Sequence, residues 1–182
     1  MVDALGRGEQ ILVLRKGGIN EGRGGFKIEH AEFLLFPTLF HEQRQSVVPT
    51  AQKRFDEITA RLPGPSTVPL EFLARVVEWR ELESLEMARR LRGQHLWRDK
   101  VIAQRFDWGR AKGIFALALR VFRLGKKVEL PMRESYGGCK SWIELEREMD
   151  VTGSESVLDD ATFASRLERF KGALEPAGVA TS

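Results

Sequence analysis

The chain holds one cysteine and one tyrosine in 182 residues. A lone thiol, Cys139, closes no internal disulfide, so stability must come from a core, and a reducing compartment, the cytoplasm, is expected. Long apolar runs are missing too. The longest, Ile114–Leu119, has six residues, against roughly 20 for a bilayer-spanning helix, so no membrane partner is expected. The opening Met1-Val-Asp-Ala-Leu-Gly lacks the basic-then-apolar order of a secretory leader. Two catalytic signatures are absent. Lys140-Ser141 lacks the upstream glycine pattern of a phosphate loop, which excludes that type of nucleotide site. The Glu-x-Lys or Gln-x-Lys of restriction-type nuclease strands occurs nowhere, which favours recognition over cleavage.

Charge is plentiful but segregated. Between Met87 and Lys127 stand twelve Lys/Arg and two acids, Asp99 and Asp107, a local net of +10 inside an overall +3. Elsewhere 17 bases face 24 acids, and Val128–Ser182 alone carries −5. Trp97, Phe106, Trp108, Phe115 and Phe122 are interleaved with the bases. Cations among aromatics suit a polyanion that also offers flat rings, so nucleic acid is the expected partner. The candidate phosphate contacts are Arg89, Arg90, Arg92, Arg98, Lys100, Arg105, Arg110 and Lys112, with Trp97 or Trp108 stacking on a base. Arginine outnumbers lysine here, and its planar fork suits bidentate phosphate contact. The plainer alternative is a solvated helix face paired with the acidic C-terminal third, with both tryptophans in the core.

One domain is expected over 1–174, with a disordered tail at 175–182. Gln10–Arg15 reads as a strand, and so does Phe26–Phe36; the glycines between them suggest that the two form a hairpin. Pro49–Leu62 has helical spacing, and the Pro/Gly/Ser stretch from Pro63 to Pro69 stops it as a loop. Glu71–Glu81 reads as a strand, Glu83–Arg92 and Trp97–Phe106 as helices, and Ile114–Leu124 as a buried strand. A strand from Cys139 to Leu145 follows the Tyr136-Gly-Gly turn. A helix over Asp159–Leu174 closes the chain, with Phe163, Leu167, Phe170 and Leu174 on one stripe. The sum is an α+β fold with a mixed, mostly antiparallel sheet, helical insertions and a C-terminal helix, the sheet curling into a small barrel.

Three smaller constellations carry chemistry. Arg15-Lys16-Gly17-Gly18 ends a strand with two cations and free backbone N–H groups, suited to an anion, or is simply a turn that needs glycine. Glu29, His30 and His41 could serve acid–base chemistry, but the two histidines lie eleven apart across Pro37, so no metal site is expected; a core histidine is the plainer reading of His30. Tyr136, Lys140 and Trp142 could line a ligand pocket, with Cys139 a small core residue in a tight turn. No cofactor is expected.

Taken together, several segments resemble the bacterial family known as domain of unknown function 1802. They are Ile11-Leu-Val-Leu-Arg-Lys-Gly-Gly-Ile19, Phe26-Lys-Ile-Glu-His30, Phe33-Leu-Leu-Phe-Pro-Thr38 with His41, His95-Leu-Trp97, Arg105-Phe-Asp-Trp108, Ala118–Leu124 and Tyr136–Trp142. The resemblance spans roughly residues 1–171. It departs at Trp108-Gly109-Arg110, where Trp-Lys-Pro is expected, so a role for that lysine does not carry over. It implies no activity, only a context beside restriction-type nuclease domains, hence a link to restriction or defence. The order of parts is also similar to the pseudo-barrel of PUA-like and ASCH-like domains, which bind RNA or modified bases. By that likeness Lys16 and Glu21 would be the catalytic pair of a ribonuclease-type hydrolase. The leading expectation is a nucleic-acid-binding module. A hydrolase using Lys16 and Glu21 is the second, and a small-ligand module or one docking an acidic protein is the third.

Overall fold

The computed structural model describes residues 1–15, 21–22, 25–26, 30–37, 43–61, 64, 66–107, 113–137 and 142–175. In chain order the elements are α1 (Val2–Gly6), β1 (Leu12–Arg15), β2 (Glu21–Gly22), β3 (Gly25–Phe26), β4 (Glu32–Leu34), α2 (Gln43–Ser46), α3 (Pro49–Arg61), β5 (Thr67–Leu82), α4 (Leu85–Arg90), α5 (Asp99–Asp107), β6 (Ile114–Pro131), a 3-10 turn at Glu134–Tyr136, β7 (Glu155–Ser156) and α6 (Asp160–Leu174).

Two long strands form the trunk. β5 and β6 pair antiparallel from Thr67↔Pro131 to Leu82↔Ile114, and α4 and α5 are inserted between them. β1 and β7 lie along the other edge of β6, β4 lies along β5, and the main path runs β1-β6-β5-β4. Every described pair is antiparallel. A register shift between Val76 and Glu78 leaves Val77 46% exposed and returns Val76 and Trp79 to the same face.

The sheet has two apolar faces. On one, Leu12, Leu14, Ala116 and Ala118 meet α4, α5 and α6 through Ala88, Ile102, Phe106 and Phe170. On the other, Phe115, Leu117, Leu119, Val121 and Phe72 pack with Leu5 of α1, and Val13, Phe33 and Trp79 lie partly buried beside them. Alternation along β1 therefore puts Arg15 on the second face, beside Val13. A third cluster at the far end of the β5–β6 pair joins Val68, Leu70 and Leu130 to Leu145 and Met149.

Local chemistry sets the ends of the helices. Ser84 and Asp159 cap α4 and α6 by accepting from the N–H groups of Met87 and Thr162. Gly8, with φ +67°, turns the chain out of α1. α3 buries none of its residues; Arg54, which pairs with both Asp3 and Glu9, ties it to α1.

Four expectations are corrected. The described strands do not close into a barrel: β1 and β4 end the path without pairing. The physical reason lies at the outer edge of β1. The N–H of Leu119 donates to the carbonyl of Ile11 (2.6 Å), so by two-residue alternation the polar groups of Leu12 and Leu14 point away from β6. Side chains occupy that edge: Gln10 Nε2 donates to the Leu12 carbonyl (2.8 Å) and Arg105 Nη1 to that of Leu14 (3.5 Å). The hairpin between Gln10–Arg15 and Phe26–Phe36 does not form either. β1 pairs with β6 and β4 with β5, because the long β6 offers β1 a deeper apolar partner; the short hairpin in this region is β2–β3. Of 26–36, Phe26 and Glu32–Leu34 are strand, while Ala31 is a bend and residues 27–29 lie outside the described set. Trp142–Leu145 are not a strand either; the side chains of Trp142 and Leu145 dock on the sheet instead of extending it, and residues 138–141 lie outside the described set. The loop expected through Pro69 ends at Ser66, since β5 takes in Thr67–Pro69. Of the expected tail, Glu175 is the cap residue after α6, and 176–182 lie outside the described residues.

Candidate nucleic-acid interface

Arginine and tryptophan meet twice around the end of β1. On the helical side, the Arg105 guanidinium stacks on the Trp97 ring, 4.3 Å from its centroid, while donating to the Leu14 carbonyl. Trp97 is 9% exposed and packs among Ile11, Ile102 and Phe106. It is therefore a core residue with one face covered, and it is no platform for a base. Burial pushes the Arg105 pKa below its ordinary value, and among the described residues no carboxylate forms an ion pair with it. On the opposite face, Arg15 stacks on Trp142 at 4.4 Å, and burial lowers its pKa in the same way.

Trp142 is the hub of the second face. His30 and Phe33 approach it nearly perpendicularly, at 5.1 Å and 79° and at 5.0 Å and 73°. One indole thus touches residues of both outer strands of the path, Arg15 of β1 and Phe33 of β4. His30 is exposed, not the core histidine that strand alternation suggests, because the chain bends at Ala31 before β4 begins. Tyr136 is buried against Phe36 (5.9 Å) and its hydroxyl accepts from the Glu146 N–H (3.5 Å). Of the expected pocket residues, the structure brings His30 and Trp142 together and adds Arg15 and Phe33. Phe33 carries no polar signal, and only its place on an alternating strand hints at it.

The remaining bases divide. Arg89, Arg90 and Lys100 are exposed on α4 and α5, with Arg90 Nη1 reaching the Glu175 carbonyl (3.4 Å). Arg92 forks onto Asp99, which raises the arginine pKa and lowers that of the aspartate. Arg98 Nε donates to the Val47 carbonyl (2.7 Å), so it serves the bridge between Val47 and Trp97. Arg120 pairs with Asp160, and Lys127 with Glu71 and Glu129. Pairing with acids thus claims part of the basic stretch. Lys16, Glu29, His41, Trp108, Arg110, Lys112, Cys139 and Lys140 lie outside the described residues, and Glu21 is placed in β2 by its backbone alone. Among the described residues no three of His, Cys, Asp and Glu converge as metal ligands, and no helix is long and apolar enough to cross a membrane.

Beside this site, His95 is 7% exposed, and neither of its ring nitrogens has a hydrogen-bond partner among the described residues. Burial lowers its pKa, against smaller opposing effects of Asp99 and the Trp97 backbone. The unfolded chain then takes up a proton below about pH 6.5 that the native chain refuses, so stability falls as the pH drops through that value. Urea unfolding at pH 7.5 and 5.5 should show this loss in the wild type, with a smaller loss in His95→Leu. Equal losses in both would refute the assignment.

The family model "Domain of unknown function (DUF1802)" matches residues 1–169. The chain belongs to this family. No curated protein and no solved structure matches it. In this family member the matched region takes in both arginine–tryptophan stacks, the whole sheet and most of α6.

Proposed function

We propose that the chain is a nucleic-acid-binding module whose contact surface centres on the end of β1. The supporting observation is Arg105: a guanidinium partly stripped of water, with no ion-paired carboxylate among the described residues. Desolvating a cation is costly unless a counter-charge arrives, and a phosphate supplies one with matching planar geometry. Arg15 follows Leu14 directly, and Arg89, Arg90 and Lys100 add exposed charge on the helical side.

Fluorescence anisotropy with a labelled 12-nucleotide RNA or DNA tests this. For two to four phosphate contacts on a single strand, affinity should fall about 7- to 50-fold between 50 and 200 mM salt. Arg105→Gln should weaken binding and flatten that slope. Affinity that ignores salt, or no binding to any oligonucleotide, would overturn the proposal. The burial of Trp97 favours one second reading, a protein partner with an acidic surface, which a failure of every oligonucleotide would bring forward.

A further inference from the structure

The nucleic-acid reading leaves α3 without a role. Ala51, Phe55 and Ile58 stand at i, i+4 and i+7, the spacing of an apolar stripe that normally enters a core. Yet α3 buries none of its residues. The stripe faces a cavity of about 180 Å³ instead. The floor of that cavity is fixed. It is formed by Ala4 of α1, by Val47, which bridges Trp97, and by Leu96, whose carbonyl accepts from the Val48 N–H (2.8 Å). Along one wall Arg54 pairs with Asp3 and Glu9, and all three side chains are partly exposed. These ion pairs, with that of Arg44 and Asp56, tie α3 down where packing would otherwise do so. The whole lining belongs to the described residues.

We propose that the cavity under α3 binds a small uncharged molecule built on an aromatic ring and carrying one N–H or O–H donor. Size, polarity and charge each narrow the choice. A cavity of about 150 Å³ with aliphatic and aromatic walls is enough to take benzene, so this one has room for a flat ring. Arg54 already donates to Oδ2 of Asp3 and Oε1 of Glu9, and Arg7 adds a second cation to Glu9 at 3.4 Å. A charged ligand would have to break these pairs and shed its own water, whereas an uncharged one leaves them intact. Each carboxylate keeps a second oxygen able to accept, so a donor on the ring finds a partner at that wall. None of Arg15, Arg89, Arg90, Lys100 and Arg105 lines the cavity, so its occupant is independent of the nucleic-acid surface.

Indole is the probe, titrated into the full chain and followed by isothermal calorimetry. Saturable one-to-one binding is expected, with Kd between about 10 μM and 1 mM, as a ligand this small allows. Indole-3-acetate and tryptamine carry the same ring with a negative or a positive charge, and each should bind about tenfold or more weakly. Ala51→Leu puts a larger side chain into the cavity and should weaken indole binding about tenfold or more, with the far-UV circular dichroism unchanged. Ala60→Leu, at an exposed position of the same helix, should leave binding unchanged. No saturation up to about 5 mM indole overturns the site, and so does undiminished binding by Ala51→Leu. Equal or tighter binding of either charged analogue overturns the uncharged occupant. If Ala51→Leu fails to fold, Ile58→Trp, which fills the same space from two turns further along, decides: undiminished indole binding in that variant overturns the assignment.

Discussion

Phe170→Ala is expected to lower the free energy of unfolding by about 3–5 kcal/mol, the range for truncating a fully buried phenylalanine. Phe170 is 0% exposed and lies where α6 meets the apolar faces of β1, β6, α4 and α5. Removing its ring opens a cavity that surrounding residues on a rigid sheet cannot refill by small shifts. Leu167, on the same helix but only partly buried, provides the internal contrast: its alanine variant should lose distinctly less. Urea unfolding followed by far-UV circular dichroism measures both, with the denaturant slope unchanged if only stability is altered. A loss under about 1.5 kcal/mol for Phe170→Ala would mean that α6 contributes little to the core.

Gly6→Ala is expected to cost about 3 kcal/mol through crowding. Gly6 is buried in α1, and an added Cβ would come within 3.0 Å of three ring carbons of Phe72. That ring cannot move freely. The Arg123 guanidinium lies over it at 4.8 Å and also donates to the Gly6 carbonyl (3.1 Å), so glycine, ring and arginine form one packed unit. Trimming the ring should relieve the clash. Phe72→Leu alone is expected to cost about 1 kcal/mol, and the double variant should be more stable than Gly6→Ala alone. Additive losses in this cycle would show that the methyl group is accommodated elsewhere, by a shift of α1.

The trunk of the fold was legible because its residues leave little choice. Ile114–Leu119 is apolar at successive positions, and Glu71–Glu81 carries β-branched and aromatic residues; both lie within the two central strands. The helix of Phe163 and Phe170 was legible for the same reason, with Asp159 as its cap. Strand ends were less visible: β6 continues through Gly125-Lys126-Lys127 to Pro131, because pairing with β5 outweighs weak local propensity. Partner choice was not legible at all. Nothing in Gln10–Arg15 says that it pairs with a strand about a hundred residues later instead of the nearer apolar run. The charge count was legible but not its disposition: Arg92 and Arg98 look alike in sequence, yet one binds a carboxylate and the other a backbone carbonyl. In sequence Trp97 is a stacking candidate and Trp142 a pocket residue, and only packing sends the first to the core and leaves the second between the outer strands.

The side chains along the outer edge of β1 also protect the protein from itself. Ile11-Leu-Val-Leu14 is uncharged, apolar and free of proline, the composition of a segment that readily recruits another chain into a growing fibril. Its unpaired edge would be the template. With the carbonyls of Leu12 and Leu14 already accepting from Gln10 and Arg105, an incoming strand must first displace both donors. Arg105, the cation at the centre of the proposed nucleic-acid surface, thus also guards this edge against an incoming strand, and its replacement would uncover the Leu14 carbonyl.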